Sequence, residues 1–376
     1  MSSSSHFFRV HALPAACGDC LWIEFGDSRA LKRILIDGGK IGAYAALRDK
    51  VRSLRLEDSL IHLIIVTHVD ADHIEGIIGL LTDEQVDAAF REIWFNGWPQ
   101  IQSNAGETLG ITQGELLGCL LGSKSPDKWN YSWADRPRRA IYRDESEPMP
   151  SRACEGMSLT LLSPDLPRVA RLRAAWERAL KQHHLAPGGL ENTLALLQQR
   201  YRNLFKGPTL GAPADEWQSL LHVPFASDDA TNNGSSLAFL AEFSGLSCLL
   251  LGDAFPDVVH DAISKVARAR NLKRLPIDLM KVSHHGSQDN THDALLDGIE
   301  CKHFLFSTDG SSYGHPDEAC VARIVQRCGP DVHLYFNADH SRRKVIWNDE
   351  HRRAQYRFHV HYPADVALGI SVDVGR

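Results

Sequence analysis

The chain lacks the sequence patterns of several common protein classes. Its 376 residues contain no P-loop, the glycine-rich motif with which many nucleotide-binding enzymes hold phosphates. Among eight cysteines, only Cys17 and Cys20 form a Cys-x-x-Cys pair, and a zinc ribbon needs two such pairs. The pair leads into the strand-like segment 21–25 instead of a helix, which disfavours a redox motif. We expect the cysteines to be reduced and mostly buried.

Long apolar runs and a surplus of positive charge are also absent. No run approaches transmembrane length, and the first nine residues do not have the shape of a signal peptide, so we expect a cytoplasmic protein without membrane contact. The net charge of −6 argues against a protein that coats nucleic acid nonspecifically, although it leaves room for a local basic patch. A hydrophobic fraction of 43% predicts a soluble globular protein with a large core.

The most informative segment that is present is Thr67–His73, directly after the apolar run Leu63–Val66. His68 and Asp70 alternate, as two ligands on the same side of an extended segment do. Asp72 and His73 are adjacent and point in different directions, which suits a second metal or the start of a helix. The alternative is a polar turn in which Asp72 is a helix N-cap, but it accounts for only one of these four side chains.

Aspartate or histidine also follows an apolar run at three other places in the chain. These residues are Asp37 after Arg33–Ile36, Asp253 after Ser247–Leu251, and His284 and His285 after Ile277–Val282. Four such strand ends suggest loops that converge on one edge of a sheet sandwich and build a metal site rich in oxygen and nitrogen.

The chain shows strands in groups, with helices between them and no internal repeat. We expect one domain over residues 1–376. Residues 97–226 differ from the rest because polar stretches at about 101–149 and 168–211 surround a strand at 158–162. Such stretches are usually insertions, and we expect them to wall the site.

Taken together, these motifs resemble the metallo-β-lactamase superfamily, and most of all the hydrolase domain of ComEC-type DNA-uptake proteins and their free-standing relatives. The matching motifs are Gly18-Asp19-Cys20, Leu35–Gly39, Thr67–Gly76, Asn232–Leu237, Leu251–Ala254, Lys281–Ser287 and Gly314-His315-Pro316. The resemblance implies an α/β (α+β) fold, a four-layer αββα sandwich with insertions, and a site for two metal ions along one edge of the sheets.

The resemblance also implies the ligands of both metals. His68 and Asp70 would hold the first ion, Asp72 and His73 the second, and Asp253 would bridge them. One histidine of the pair His284 and His285 would complete the second site, and we favour His284 because it comes first after the strand.

Two further residues would orient ligands without binding metal. These are Asp37 and Asn233, and for Asp37 the alternative is a carboxylate that caps its own turn.

Two departures from the superfamily concern the first site. Most members have histidine in place of Asp70, and most have an additional histidine before Gly252-Asp253. Here that stretch, residues 228–233, contains aspartate and asparagine and no histidine. Oxygen ligands favour Mn²⁺ or Mg²⁺ relative to Zn²⁺, although Zn²⁺ still binds such a set. We expect two divalent ions, Zn²⁺ or Mn²⁺, with weak or partial binding at the first site.

Hydrolysis of a phosphodiester is the leading expectation for the reaction. Two divalent ions about 3.5–4 Å apart can hold a hydroxide and stabilise both oxygens of an in-line displacement. The catalytic residues would be Asp72, Asp253 and His315, of which His315 either gives a proton to the leaving oxygen or is a plain loop residue. The substrate would be DNA, RNA or a nucleotide, and the nature of any protein partner and the oligomeric state stay open.

Other residues have weaker claims to a role. Lys281 could contact the substrate, but a lysine beside a strand end is more often solvated. Three arginines and three aromatic residues alternate in the first insertion and could hold a nucleic acid, or they could pack a small core. They are Trp129, Tyr131, Trp133, Arg136, Arg138 and Arg139. We leave the pairs His183 and His184, and His359 and His361, as surface or strand residues.

Two rival functions use the same fold. One is a metal-dependent hydrolase of an ester, thioester or lactam that is not nucleic acid, since one scaffold supports many chemistries. The other is a non-catalytic subunit that binds a protein partner. The missing histidine favours the subunit, and the retained carboxylates count against it.

Overall fold

The computed structural model describes residues 6–27, 30–55, 58–86, 88–101, 111–182, 217, 220 and 225–375. The second expected insertion, 168–211, lies outside the described residues from 183 onward, and so do His183 and His184. Residues 102–110 of the first insertion are also outside them.

The strands of the described residues are numbered along the chain. They are β1 (Phe7–Ala12), β2 (Leu21–Asp27), β3 (Ala30–Ile36), β4 (Ile61–Ile65), β5 (Phe90–Trp94), β6 (Ser151–Cys154), β7 (Met157–Ser163), β8 (Ala238–Phe243), β9 (Leu246–Leu250), β10 (Leu275–Ile277), β11 (Leu279–Lys281), β12 (Ile299–Cys301), β13 (His303–Phe306), β14 (Val332–Phe336), β15 (Phe358–His361) and β16 (Ile370–Asp373).

The helices are numbered in the same way. They are α1 (Tyr44–Arg52), α2 (Ala71–Thr82), α3 (Trp98–Ile101), α4 (Ile111–Lys124), α5 (Leu166–Gln182), α6 (Thr231–Gly234), α7 (Pro256–Ala269), α8 (Asp293–Asp297), α9 (Glu318–Cys328) and α10 (Glu350–Tyr356).

Two mixed sheets contain most of these strands. Within the described residues, the first sheet has six strands in the order β16-β1-β2-β3-β4-β5, and the second has eight in the order β15-β14-β13-β11-β9-β8-β7-β6. The pairs β3-β4 and β4-β5 are parallel, and so are the pairs from β15 to β9 in the second sheet. The carboxyl ends of these parallel strands therefore lie at one edge of each sheet.

Three apolar layers hold the sheets and helices together. One lies between the sheets and joins, for example, Ile23 of β2 to Phe239 of β8. A second lies between the first sheet and helices α1, α2, α4 and α5, and a third between the second sheet and α7, α8 and α9. Each fully buried aliphatic side chain in these layers stabilises the fold by about 1.5–3 kcal/mol. The expected four-layer αββα sandwich is confirmed.

The position of strand β4 explains the apolar run Leu63–Val66 before the histidine-aspartate segment. Ile64 faces the helices, and Leu63 and Ile65 face the second sheet. A strand segment that is covered on both faces favours apolar residues at consecutive positions instead of alternating ones.

Within the described part of the chain, no helix combines the length and apolar character needed to cross a bilayer. The eight cysteines are free thiols, and Cys17 and Cys20 are both buried, as expected for reduced cysteines.

The described parts of the insertions pack close to the expected site. A Cβ atom on Gly114 of α4 would lie 2.7 Å from Val69 and 2.6 Å from Trp176 of α5. Both helices are therefore close to the segment that carries His68 and Asp70. Whether the complete insertions wall the site stays a prediction.

Candidate metal centre

The strand ends that the sequence singles out meet at one place. Asp37 follows β3, Thr67–His73 follows β4, Asp253 follows β9, and the turn Ser283–Gly286 follows β11. Direct bonds join these loops: the Thr67 amide donates to Asp37 Oδ1 at 2.8 Å, and the His284 amide donates to the Gly252 carbonyl at 2.9 Å. The site therefore lies where the carboxyl ends of parallel strands from both sheets converge.

Helix α2 places Asp72 and His73 in its first turn. Its approach to the loop after β3 requires glycine, because a Cβ atom on Gly76 would lie 1.9 Å from the Gly38 carbonyl oxygen. The residue before the helix is Asp70, and its side chain makes no capping bond. Asp72 is therefore not the N-cap that the alternative reading of this segment required.

Asp253 is the centre of the cluster. Its Oδ2 atom lies 3.7 Å from Nε2 of His68, 3.3 Å from Nε2 of His73, 3.8 Å from Nε2 of His284 and 3.7 Å from Nε2 of His285. Two further carboxylates adjoin it, Asp70 at 3.5 Å from His68 Nε2 and Asp72 at 3.7 Å from His285 Nε2. The structure thus brings together all seven candidate residues, including both His284 and His285, of which only one is expected to be a ligand.

The other ring nitrogen of each histidine contacts an oxygen that holds the ring in place. His73 Nδ1 lies 2.8 Å from Asp37 Oδ2, His68 Nδ1 3.0 Å from Thr67 Oγ1, His284 Nδ1 2.8 Å from Asn290 Oδ1, and His285 Nδ1 2.9 Å from the Ser307 carbonyl. Carbonyl and carboxylate oxygens only accept hydrogen bonds, and the Thr67 hydroxyl already donates to Asp37 at 2.7 Å. The network therefore assigns a proton to Nδ1 in all four rings, and Nε2 is the atom of each ring that is directed at Asp253.

Nε2 atoms that face each other beside a carboxylate are suited to hold a cation between them. Nε2 of His73 lies 3.2 Å from Nε2 of His285, and within the described residues Nε2 of His68 is buried without a hydrogen-bond partner. Ligand atoms about 2.1 Å from a tetrahedral ion are roughly 3.4 Å apart, close to the separations around Asp253 Oδ2. The residues fit the divalent ions that the resemblance implies.

Protons compete for the same nitrogen atoms when no metal is bound. Burial opposes a charge on His284, but the carboxylates of Asp253 and Asp228 outweigh it and raise its pKa to about 9. The pKa of His73 is likewise raised well above its ordinary value, against burial, by Asp253 and Asp37. Burial favours a neutral Asp253, but the surrounding histidines hold its pKa well below the usual range.

Asp37 contacts the histidine-aspartate segment and not its own turn. Its two oxygens accept from the Thr67 amide, the Thr67 hydroxyl and His73. Asn233 acts on His284 through Asp228. Its Nδ2 donates to Asp228 Oδ2 at 2.8 Å, and Asp228 Oδ2 lies 3.4 Å from His284 Nδ1. Both side chains thus occupy positions that orient ligand histidines.

Asp19 is a member of the cluster to which sequence reasoning gave no role. It groups with His73, Asp253 and His285 as a buried set whose ligand atoms lie within 4.8 Å of one another, and its Oδ1 atom is 3.3 Å from His285 Nδ1. The available signal was its place in Gly18-Asp19-Cys20, one of the motifs of the resemblance. A carboxylate between two strands has no local feature that separates it from a turn residue.

The expectation of a solvated Lys281 is wrong. Its side chain is 0% exposed and forms an ion pair with Asp19, which is itself 1% exposed. Burial raises the pKa of the Asp19 carboxyl, but Lys281, His285 and His73 together outweigh burial and hold that pKa below its usual range. A lysine at the end of a central strand stays inside the protein because an aspartate from another loop neutralises it.

Three side chains form the rim beside the cluster. The His315 ring centre lies 5.5 Å from that of His284, and His315 Nδ1 is 3.2 Å from Asp317 Oδ1. Tyr313 is 70% exposed, and its ring centre lies 6.0 Å from that of His315. Lys40 is half-buried and contacts Ser312 at 3.2 Å; burial lowers its pKa, but Cys17 and then Asp72 raise it above its ordinary value.

The alternating arginines and aromatics of the first insertion are elsewhere. Trp129 and Trp133 are buried in the cores on either side of the first sheet, and Tyr131 is exposed. Arg136 pairs with Glu147, and Arg139 donates to the Trp129 carbonyl at 3.2 Å. These contacts favour the packing interpretation of this segment over a nucleic-acid surface.

No family model matches the chain. Over 136 residues the chain is 29% identical to ComE operon protein 3 of Bacillus subtilis (strain 168), a match that covers 36% of this chain and 15% of that protein. The chain thus corresponds to a small part of this relative's length.

Solved structures with a similar fold share little sequence with the chain. The metallo-β-lactamase fold protein YhfI from Bacillus subtilis overlaps 98% of this chain and 100% of its own at 11% identity, with a TM-score of 0.40. CmlA, a diiron β-hydroxylase from Streptomyces venezuelae, overlaps 98% of this chain and 54% of its own at 10% identity, with a TM-score of 0.38. In its four-layer αββα architecture, the chain is similar to proteins of the metallo-β-lactamase fold.

Proposed function

We propose that this protein is a metal-dependent hydrolase that cleaves phosphodiester bonds with two divalent ions. The observation that carries this proposal is the convergence of four histidine Nε2 atoms on one oxygen of Asp253, with Asp70 and Asp72 alongside. Bound there, a pair of ions supplies Lewis acidity toward a phosphoryl oxygen and a strong nucleophile derived from water.

The protein's own residues divide the remaining tasks. Asp253 would be shared by the two ions, and Asp37, Asn290 and the Ser307 carbonyl fix the rings of His73, His284 and His285 so that little reorganisation is needed on binding. The pair of Lys281 and Asp19 lies on the buried side of the site, where Asp19 Oδ1 is 3.3 Å from His285 Nδ1.

His315 would give a proton to the leaving oxygen. Its Nδ1 contacts Asp317, which leaves Nε2 as the donating atom, and its ring lies next to His284 at the exposed side of the cluster. A general acid in this place must be within hydrogen-bond reach of the leaving group, and the rim is the accessible side.

The rim also supports a phosphodiester as the substrate class. Lys40 offers a positive charge to a phosphate beside Asp72, and the exposed ring of Tyr313 offers a stacking surface to a base. The resemblance to ComEC-type hydrolase domains, which belong to DNA-uptake proteins, favours DNA, RNA or a nucleotide over other esters.

The proposal is tested with the purified full chain. Metals are removed, Mn²⁺ or Zn²⁺ is added back, and labelled single- and double-stranded DNA, RNA and bis-p-nitrophenyl phosphate are offered as substrates. Asp72→Ala and Asp253→Asn remove a ligand each, and Asp365→Asn changes an exposed carboxylate away from the cluster as the matched control.

Turnover of one of these substrates that depends on metal, survives Asp365→Asn and is lost in the other two variants supports the proposal. Turnover that survives Asp72→Ala and Asp253→Asn would place the chemistry elsewhere. Turnover of carboxylic esters, thioesters or lactams alone would make the protein a different hydrolase, and no turnover of any substrate would favour the partner-binding subunit.

A further inference from the structure

The first metal site lacks one ligand compared with the second. His68, Asp70 and the shared Asp253 surround the first, whereas Asp72, His73, His285 and Asp253 surround the second. Most of the superfamily completes the first site with a histidine from the segment that corresponds to residues 228–233, which contains no histidine in this chain.

Residues 228–233 instead support the side chains around the first site. Asn232 Nδ2 donates to Asp70 Oδ1 at 2.7 Å, which leaves Asp70 Oδ2 facing His68. Asp228 Oδ2 lies 3.4 Å from Nδ1 of His284 and accepts from Asn233 and Asn290 at 2.8 and 3.0 Å. One short segment therefore holds both Asp70 and His284.

We infer that His284 is the third protein ligand of the first site, in place of the missing histidine, and that His285 serves the second site. This inference rests on the proposed binding of two metals and assigns a separate task to each histidine of the pair.

The backbone explains how two adjacent histidines can both reach the cluster. In an extended strand, consecutive side chains point to opposite faces, so that only one of them could be a ligand. His284 and His285 both have positive φ angles, 46° and 56°. These consecutive left-handed residues coil the chain after β11, and both Nε2 atoms come within 3.8 Å of Asp253 Oδ2. Left-handed conformations of non-glycine residues are strained and concentrate at functional sites.

The contacts of each ring separate the two tasks. His285 Nε2 lies 3.2 Å from His73 Nε2 and 3.7 Å from Asp72 Oδ2, both ligands of the second site. His284 contacts Asp228, Asn233 and Asn290 on one side and Asp253 on the other. Because residues 228–233 contact both His284 and Asp70, we place His284 on the side of the cluster that also holds Asp70.

Glycine substitutions test the inference with little risk to the fold, because glycine adopts a positive φ without strain. The variants are His284→Gly and His285→Gly, each alone and combined with Asp70→Asn or Asp72→Asn. Asn271→Gly is the matched control, since Asn271 is exposed and has a φ of 57°. Tightly bound Mn²⁺ or Zn²⁺ per chain is measured by elemental analysis after gel filtration, and circular dichroism checks folding.

We expect two ions in the wild type and in Asn271→Gly, and one in each single histidine variant. His284→Gly with Asp70→Asn should still retain one ion because both changes affect the same site, whereas His284→Gly with Asp72→Asn should retain none. For His285→Gly the two combinations should give the opposite results. Added imidazole should restore the binding of an ion at the first site of His284→Gly.

Two ions in His284→Gly, or one ion in His284→Gly with Asp72→Asn, would overturn the assignment, and so would a wild type that binds fewer than two. The readout does not depend on turnover. If the numbers of bound ions are as expected but no phosphodiester is cleaved, the proposed function is overturned and the assignment of the two histidines still holds.

Discussion

Two groups of four histidines in this protein have opposite surroundings. At the metal centre, His68, His73, His284 and His285 direct their Nε2 atoms toward the carboxylate of Asp253. On strands β13, β14 and β15, His303, His333, His359 and His361 form a second group, which we name the histidine ladder. Its rings stack across neighbouring strands, with centres 4.9 Å apart between His303 and His333 and 4.5 Å between His333 and His359.

The pKa values of His333 and His361 in the ladder move in the opposite direction to the pKa of His284 at the metal centre. In the ladder, burial and then the neighbouring histidines lower the pKa of His361 to about 4, and burial lowers the pKa of His333 as well. At the metal centre, the pKa of His284 rises to about 9 because nearby carboxylates outweigh burial. The residue type alone does not make a ligand. Convergence of the Nε2 atoms on a carboxylate distinguishes the metal centre from stacked strand residues.

The same substitution in each group should give the largest difference, which is in metal content and in the rate of hydrolysis. His73→Asn should remove the second ion and lower hydrolysis on the order of 10³-fold, because the stabilisation that an ion gives to a transition state amounts to several kcal/mol. His333→Asn should leave both metal content and rate near those of the wild type. Elemental analysis and initial rates test this pair, and a loss of metal from His333→Asn would end the distinction between the two groups.

A buried charge should cost more stability than a hydrogen bond in the ladder. Lys281→Met leaves the buried carboxylate of Asp19 unpaired and should lower the free energy of unfolding by about 3–5 kcal/mol. Tyr335→Phe removes the hydroxyl that lies 3.0 Å from His303 Nδ1 and should cost about 1 kcal/mol.

Denaturant titration of the metal-free variants measures both of these effects. Combining Lys281→Met with Asp19→Asn should recover most of the loss. Equal costs for Lys281→Met and Tyr335→Phe would show that the buried pair does not stabilise the centre as described.

Carboxylates that act on histidine rings should affect metal affinity only at the metal centre. Asp37→Asn weakens the bonds that hold His73 and Thr67 and should reduce metal affinity about 10–100-fold. Asp278→Asn changes a carboxylate whose charge acts on His303 of the ladder, so it should leave metal affinity unchanged. Competition with a metal-sensitive dye compares the two variants, and equal affinities would contradict the role given to Asp37.

The smallest expected effect is a dependence of stability on pH that comes from the ladder. The pKa of His361 is lower in the folded protein, about 4, than its ordinary value of 6.5. The unfolded chain therefore takes up a proton first as the pH falls, and the stability from neutral His361 is complete above about pH 6.5 and lost toward pH 4.

Comparison of the wild type with His361→Gln isolates this effect. Because His361 is half-exposed, we expect on the order of 1 kcal/mol less dependence on pH in the variant. Unfolding curves at pH 7 and pH 5 measure this dependence. An equal change in the free energy of unfolding for both proteins would contradict the lowered pKa of His361.

The sequence carried much of the fold and of the candidate site because the signals are local. The apolar run Leu63–Val66 indicated a buried strand, and the histidine-aspartate segment after it gave four candidate ligands. The same strand-end pattern pointed to Asp253 and the pair His284 and His285, and the resemblance supplied their expected roles. Sequence reasoning failed where a partner comes from a distant segment. Lys281 was expected in solvent because nothing beside it in sequence shows that Asp19, more than 250 residues away, neutralises it.

By itself, the sequence determined which segments are strands and which of their ends present metal-binding side chains, because apolar periodicity and side-chain chemistry are properties of short segments. Only the tertiary structure decided how these side chains share their tasks. Whether a buried lysine is tolerated, and whether adjacent histidines can both face Asp253, depends on charges, hydrogen bonds and a left-handed turn that join loops far apart in the chain. These interactions depend on distance in space, which no single segment of the sequence contains.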